Sequence, residues 1–257
     1  MFPGELGASG PMAVVKSNKG GTADGLIEKL PGRGNEIRMT QSVQGRVSLQ
    51  KVYDILNGYF GNLHWWPGDS PFEVIVGAIL TQNTAWKNVE AAIGQLKVRD
   101  LLHPERLLHL PEPQLADLIR PAGYYRVKTK RLKAFLNFLK QEYHCNLDAL
   151  FAEDLWTIRK KLLSVHGIGE ETADSILLYA GGKPVFVIDT YTRRILQRHD
   201  IIDEKTSYTE IQTLFMTSFP GSAPFYNQYH ALLVNTGKQF CRKETPKCNL
   251  CPLQSVH

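Results

Sequence analysis

Cysteine is scarce in this chain, and the little there is lies badly for disulfides. Of 257 residues only four are cysteine; Cys241, Cys248 and Cys251 crowd together near one end while Cys145 stands apart. A disulfide framework spreads its cysteines, so a stapled secreted scaffold is excluded and the cluster reads as metal ligation in a reducing compartment. Cys145 reads as a plain thiol. Long apolar runs are missing too. None approaches the roughly 18 residues a membrane span needs, so no membrane partner is expected. The opening "MFPGELGASG" lacks the basic start and apolar stretch of a secretory signal, which predicts a cytoplasmic protein. Strong charge of one sign is also lacking. The net charge of +5 permits a nucleic-acid partner without demanding one. No repeat appears, and strand-like alternation is almost absent.

What remains is a helical pattern on a chain that is 43% hydrophobic, enough for one large or two modest cores. Residues 1–46 are rich in Gly, Ser and Lys with no periodicity and read as a disordered leader, with Met39 a candidate natural start. From "SLQKVYDILNGYFG" onward Val52, Ile55, Leu56 and Tyr59 make one apolar face. The stretch "SPFEVIVGAIL" carries Phe72, Val74, Ile75, Val76, Ile79 and Leu80, apolar nearly all round and therefore buried. Helical segments continue to "APFYNQYHALLVNTGKQF". The run "KPVFVID" could pass for a strand before it turns helical. The class expected is all-α, about ten helices.

The stretch "VHGIGEETADSILLYAGG" carries the first chemistry. Gly167 and Gly169 suit a sharp turn between two helices, because glycine accepts positive φ. The second helix then presents unpaired N–H groups and the positive end of its dipole, a seat for a phosphate needing no cationic side chain. Such a contact carries no base sequence information. An ordinary helix turn, with Glu170 and Glu171 as favourable first-turn acids, is the plain alternative. About twenty residues on, Asp189 begins another helix, where it suits either an N-cap or a catalytic carboxylate.

Taken in order, these blocks resemble the helix-hairpin-helix DNA glycosylases, the superfamily of endonuclease III, over about residues 48–257. "WWPGDSPFEVIVGAILTQNTAW", "RPAGYYRVKTKRL" and "GIGEETADSILLYA" are most similar to the bacterial 3-methyladenine enzymes of that fold, whereas the cysteine tail is like endonuclease III. The resemblance implies two helical domains: a barrel over residues 71–182 closed by the hairpin, and a second domain from 47–70 with 183–257. It implies a monomer acting on double-stranded, nucleoid-associated DNA with damaged bases, in a bacterial or archaeal cell. Asp189 would stabilise the cationic sugar left when a base departs. In the bifunctional branch a lysine follows the second hairpin glycine by two residues and forms a Schiff base; here that position is Glu171, which either holds water or caps the helix. A monofunctional enzyme with little or no strand cleavage follows, with alkylated purines as the leading substrates. Trp65, Trp66, Pro67 and Lys238 map to the base pocket. Gln82 maps to the side chain that fills the gap left by a flipped base, and Tyr124 to the opposing wedge. Gly167, Ile168, Gly169, Lys128, Lys243 and Lys247 complete the expected DNA contacts. Three rival readings stand beside this one: an endonuclease III-like lyase for oxidised pyrimidines, a mismatch thymine or uracil glycosylase, and a non-catalytic damage-binding module.

The tail "CRKETPKCNLCPLQSVH" spaces Cys241, Cys248 and Cys251 as a [4Fe–4S] site does, with His257 where a fourth cysteine is expected. A [4Fe–4S] cluster is the expectation; zinc is the alternative, because three cysteines and one histidine also suit it, and a metal-free remnant is the third option.

Overall fold

Helix start signals fix the order of the elements. The structure, a computed structural model, describes residues 48–63, 65, 68–219 and 221–256. The leader 1–46 with Met39, the pocket residues Trp66 and Pro67, and His257 lie outside the described residues. Ser48 accepts from Lys51 N to open α1 (Leu49–Phe60), and Ser70 with Pro71 opens α2 (Pro71–Leu80). There follow α3 (Trp86–Lys97), α4 (Pro104–His109), α5 (Glu112–Leu118), the long α6 (Tyr125–Tyr143), α7 (Leu147–Ala152), α8 (Leu155–Ser164) and α9 (Glu170–Ser175). A π-helical turn (Ile176–Ala180) continues α9, and α10 (Thr190–Arg198), α11 (Tyr208–Ser218) and α12 (Ala223–Gln239) complete the set. Short 3-10 turns follow the last helix.

Among the described residues there is no strand, as expected of an all-α protein, and no helix long and apolar enough to cross a membrane. The strand-like run 185–188 is extended yet unpaired. All four side chains are buried and the backbone finds other partners: Gln212 donates to Phe186 O at 2.7 Å, and Ile188 N donates to the Tyr208 hydroxyl at 3.3 Å. With no neighbouring strand to pair with, the segment serves as a plug for the core. Phe186 stacks on Phe215, centroids 3.9 Å apart, and meets Tyr229 edge-on.

Helix α2 is buried along its whole length, as its composition predicts. On α1 the prediction fails at one position. Val52 and Leu56 are fully buried, but Tyr59 is 58% exposed, because the helix docks by a narrower stripe than its apolar pattern suggested. The main contacts group α2 to α9 with the π-turn, and α1 with α10, α12 and the C-terminal turns; α12 against the π-turn joins the groups. The described part of 43–257 is one compact unit.

One buried ion pair locks the two sides of the hairpin. Asp174 on α9 is fully buried, and Arg159 on α8 grips it twice, Nε to Oδ1 at 2.7 Å and Nη2 to Oδ2 at 3.0 Å. Tyr208 and Gln212 of α11 also donate to its Oδ2, at 2.8 and 2.7 Å. A buried carboxylate is tolerated only when its lone pairs are met in this way. Removing Arg159 by an Arg159→Ala change strands the charge and should destabilise the fold by about 3–5 kcal/mol, read as a lowered urea midpoint at unchanged slope.

Candidate active site

The hairpin turn is Val165 to Gly169. Gly167 takes φ +85°, and a Cβ there would overlap the Arg131 side chain. Gly169 does not need positive φ, contrary to expectation: at φ −93° and ψ −179° it is extended backbone and the N-cap of α9. Its asset is bareness, since an added Cβ there meets nothing within 4 Å. Ile168 is corrected as a DNA contact. Its side chain is buried and its N–H already donates to Val165 O at 3.1 Å, so it has nothing to offer a phosphate. The open donors are the first N–H groups of α9, left unpaired by helix geometry.

Gln82 lies against this turn. Its Nε2 donates to Gly167 O at 3.0 Å and to Thr172 Oγ1 at 2.8 Å, while Arg131 donates to its Oε1. The side chain is thus anchored inside the protein, and reaching into a duplex costs those bonds. Tyr124 is 74% exposed, held out by a left-handed backbone (φ 47°) just before α6.

Lys128 is a second correction. It is 1% exposed, and its ammonium donates to Leu80 O at 2.8 Å and Ala122 O at 2.7 Å. It closes the carboxyl end of α2, where the helix dipole favours a cation; burial pushes its pKa down to about 8. Lys133 is buried likewise and donates to the carbonyls of Leu107 and Leu108 in the last turn of α4 and of Leu110 just after it. Of that basic stretch, Arg126 and Lys130 remain exposed.

Asp189 caps α10, its Oδ1 accepting from Thr192 N at 2.7 Å. The capping alternative is therefore real, but it uses one oxygen only. Oδ2 faces the Nε2 of His230 at 3.7 Å, and the Asp189 side chain is 12% exposed. Burial pushes its carboxyl up, but His230 and Thr192 outweigh that and hold it below its ordinary value. Glu171, on the first turn of α9, is close by, its residue surface exposed while its carboxyl sits among neighbouring groups. Loss of water around its carboxyl, with the Asp189 charge beside it, pushes its pKa up to about 7. The two carboxyls are driven in opposite directions, as in many acid–base pairs.

His230 and Tyr179 were not foreseen. His230 lies 4% exposed on α12 with Nδ1 paired to the Tyr179 hydroxyl, and Tyr179 projects from the π-turn. Single π-turns of this kind recur at functional sites, the one sequence-independent hint available. Trp65 is half-buried, with the Lys238 ammonium 5.0 Å from its ring centre. Burial pushes the Lys238 amine down, against the nearby Asp189 charge.

At the tail, Cys241, Cys248 and Cys251 line one pocket with Arg198, His199, Phe240 and Leu253. Burial and the two other sulfurs push the Cys251 thiol up, so the three ligand positions are near neighbours. Among the described residues no three ligands gather as a single-ion site. Three thiols lining one pocket are a donor set that fits a [4Fe–4S] cube; the expected fourth ligand, His257, is not described. Arg198 donates to Cys241 Sγ at 3.3 Å and to the carbonyls of Arg242 and Lys243 at 2.7 and 2.8 Å. The exposed Lys243 and Lys247 ride on that braced loop. Cys145, a half-buried free thiol, lies outside this group.

Residues 76–220 match the family model for the HhH-GPD superfamily of base excision DNA repair proteins. A candidate DNA repair glycosylase of Methanocaldococcus jannaschii is 46% identical over 207 residues, 80% of this chain and 94% of that one. The crystal structure of Helicobacter pylori 3-methyladenine DNA glycosylase bound to 1,N6-ethenoadenine aligns at TM-score 0.63 and 27% identity, covering 74% of this chain and 96% of that chain. An endonuclease III–DNA complex aligns at TM-score 0.69 but 22% identity, covering 80% and 92%, a likeness of fold alone.

The two hairpin glycines should separate cleanly. Gly167→Ala forces left-handed alanine and displaces Arg131 from Gln82, costing about 1–2 kcal/mol or more. Gly169→Ala should stay within about 0.5 kcal/mol of wild type. Thermal denaturation of both variants checks the contrast.

Proposed function

The chain belongs to the HhH-GPD superfamily of base excision DNA repair proteins, and we propose that within it this one is a monofunctional DNA N-glycosylase removing alkylated purines from duplex DNA. The observation that carries the reading is the carboxyl pair: Asp189, with Thr192 N on Oδ1 and His230 Nε2 3.7 Å from Oδ2, is favoured in its charged form, while Glu171 beside it is pushed up to about 7.

The duplex is gripped through phosphates at the start of α9, where Gly169 offers no side chain to block approach. Lys243 and Lys247 add counterion-releasing contacts, and Tyr124 enters the stack beside the extruded nucleotide. The flipped base rests against Trp65. Trp65 already holds a cation, Lys238, 5.0 Å from its ring centre, and an alkylated purine carrying positive charge is drawn to the same face electrostatics.

In the reaction the bond from sugar C1′ to the base nitrogen breaks with its electron pair going to the base. Asp189 stabilises the cationic sugar. Water then adds at C1′ and gives a proton to the Asp189 carboxylate, leaving an abasic site. A charged base departs neutral without help; a neutral base takes the proton of Glu171. At the motif position where the strand-cleaving branch carries its lysine, this chain has Glu171. Lys161 is held by Glu153 and Tyr143, and Lys183 donates to Glu153 O. Cys241, Cys248, Cys251 and His257 would hold a [4Fe–4S] cluster whose part is architectural. The enzyme works as a monomer on the DNA of the cytoplasm.

Two outcomes test this. Duplexes carrying 3-methyladenine, 7-methylguanine, hypoxanthine, 1,N6-ethenoadenine, thymine glycol, uracil or G·T are incubated with protein and read before and after hot alkali. Alkylated purines should be released, strand breaks should appear only after alkali, and borohydride should trap no adduct. Asp189→Asn should lose about 10²–10³-fold in release while still binding duplex. A trapped adduct, or binding with no release from any duplex, would sink the proposal. The second test is pH dependence. Glu171 carries its proton below about 7, so release of neutral 1,N6-ethenoadenine should fall as pH rises through that value. Release of cationic 3-methyladenine should not, and Glu171→Gln should remove the difference.

A further inference from the structure

We infer that His230 is a positioning residue: its Nε2–H fixes the free oxygen of Asp189 and ties that carboxylate, through Tyr179, to the wall of the base pocket. The inference rests on the glycosylase reading above and adds to it a residue that the hairpin pattern did not announce.

The geometry is specific. His230 lies inside the protein, its ring edge-on to Phe186 at 6.3 Å and tilted against Tyr179 at 6.0 Å. Nδ1 is paired with the Tyr179 hydroxyl. Nε2 is buried, has no hydrogen-bond partner, and stands 3.7 Å from Asp189 Oδ2. That distance is too long for a hydrogen bond. It is short enough that a shift of several tenths of an ångström makes one.

The proton on Nε2 follows from its neighbours. If the Tyr179 hydroxyl donates to Nδ1, the neutral ring carries its hydrogen on Nε2. If the ring is charged, both nitrogens carry one. The remaining tautomer would aim a lone pair at a carboxylate and is disfavoured by repulsion. In both surviving states an N–H points at Oδ2.

With that shift Asp189 is held at both oxygens, Oδ1 by Thr192 N as it stands and Oδ2 by His230. That fixes the plane of the carboxylate against the sugar. Other charged or titratable groups facing it are Glu171 of α9, Tyr179 of the π-turn and Lys238 of α12. The Trp65 indole is a neighbour of the Tyr179 hydroxyl. A base seated on Trp65 therefore lies beside the contacts that would orient the carboxylate, from Tyr179 to His230 and on to Asp189.

The test compares full-length wild type, His230→Asn, His230→Gln and Tyr179→Phe. Single-turnover release is measured on whichever duplex the wild type cleaves fastest, together with the Kd for a duplex bearing a tetrahydrofuran abasic analogue. His230→Asn, whose amide stops short of the ε position, should slow release about 10- to 100-fold with Kd within about twofold. Its acid limb should move to higher pH, because His230 helps keep Asp189 ionised. His230→Gln places an N–H at the ε position and should recover most of the rate. Tyr179→Phe should fall between them. A His230→Asn enzyme as fast as wild type, or Asn and Gln variants equally slow with equal loss of thermal stability, overturns the inference while base release by wild type stands. If wild type itself releases no base from any duplex, the glycosylase reading fails, and this inference with it.

Discussion

The Arg159–Asp174 pair is the constraint from which the active site is built. A carboxylate with no solvent exposure must be met at every lone pair or it neutralises and drifts. Arg159 meets it twice from α8, Tyr208 and Gln212 from α11. Those same two α11 side chains then use their remaining capacity on the extended run before Asp189: Tyr208 accepts from Ile188 N, and Gln212 donates to Phe186 O. One buried charge thus sets the angle of the hairpin and the path of the segment that delivers the candidate catalytic carboxylate. The hairpin turn and the Asp189 carboxylate are referenced to the same point.

How much of this was legible depends on whether the signal was local. The buried α2, the glycine turn and Asp189 at a helix start all carry their information within a few residues. The fate of Lys128 was partly legible. It stands four residues before Leu132 and seven before Phe135, on the apolar stripe of α6, and that register outweighed the charge. What the register does not reveal is the pair of carbonyls, at Leu80 and Ala122, that make the burial tolerable. His230 was illegible for a stronger reason. It sits on the buried face of α12 among Tyr226, Tyr229 and Leu233, where an internal histidine is unremarked, and its partners Tyr179 and Asp189 are distant in sequence. The false strand at 185–188 has the complementary explanation, because extended apolar backbone becomes a strand only if another strand is present to share its hydrogen bonds.

Two carboxyl groups of similar intrinsic acidity do different work here because their surroundings differ. Asp189 has an N–H from Thr192 and the imidazole of His230, both of which favour its charged form. Glu171 has few such partners and has Asp189 as its neighbour, so a second negative charge is the costlier state. A lysine in the place of Glu171 would form an ion pair with Asp189 and a nucleophile for the sugar; the carboxyl instead keeps a proton. Under the proposed function, the residue at this one position would separate hydrolysis from imine formation.

Helix α10 connects this chemistry to the cysteine tail. Asp189 is its first cap and Arg198 its last residue. At the far end Arg194 donates to Cys241 O at 2.7 Å, while Arg198 holds Cys241 Sγ and the carbonyls of Arg242 and Lys243. The near end is set by the Asp174 network through residues 186 and 188. A helix of nine residues, about 13 Å long, is therefore pinned at both ends. A group that rigidifies the cysteine loop restricts how far α10 can slide or tilt, and so how far the Asp189 carboxylate can stray from the sugar. Since misplacement of about 1 Å can cost a hundredfold in rate, a cluster held at the cysteine loop, remote from the proposed reacting atoms, would act on catalysis through this rod, by position alone.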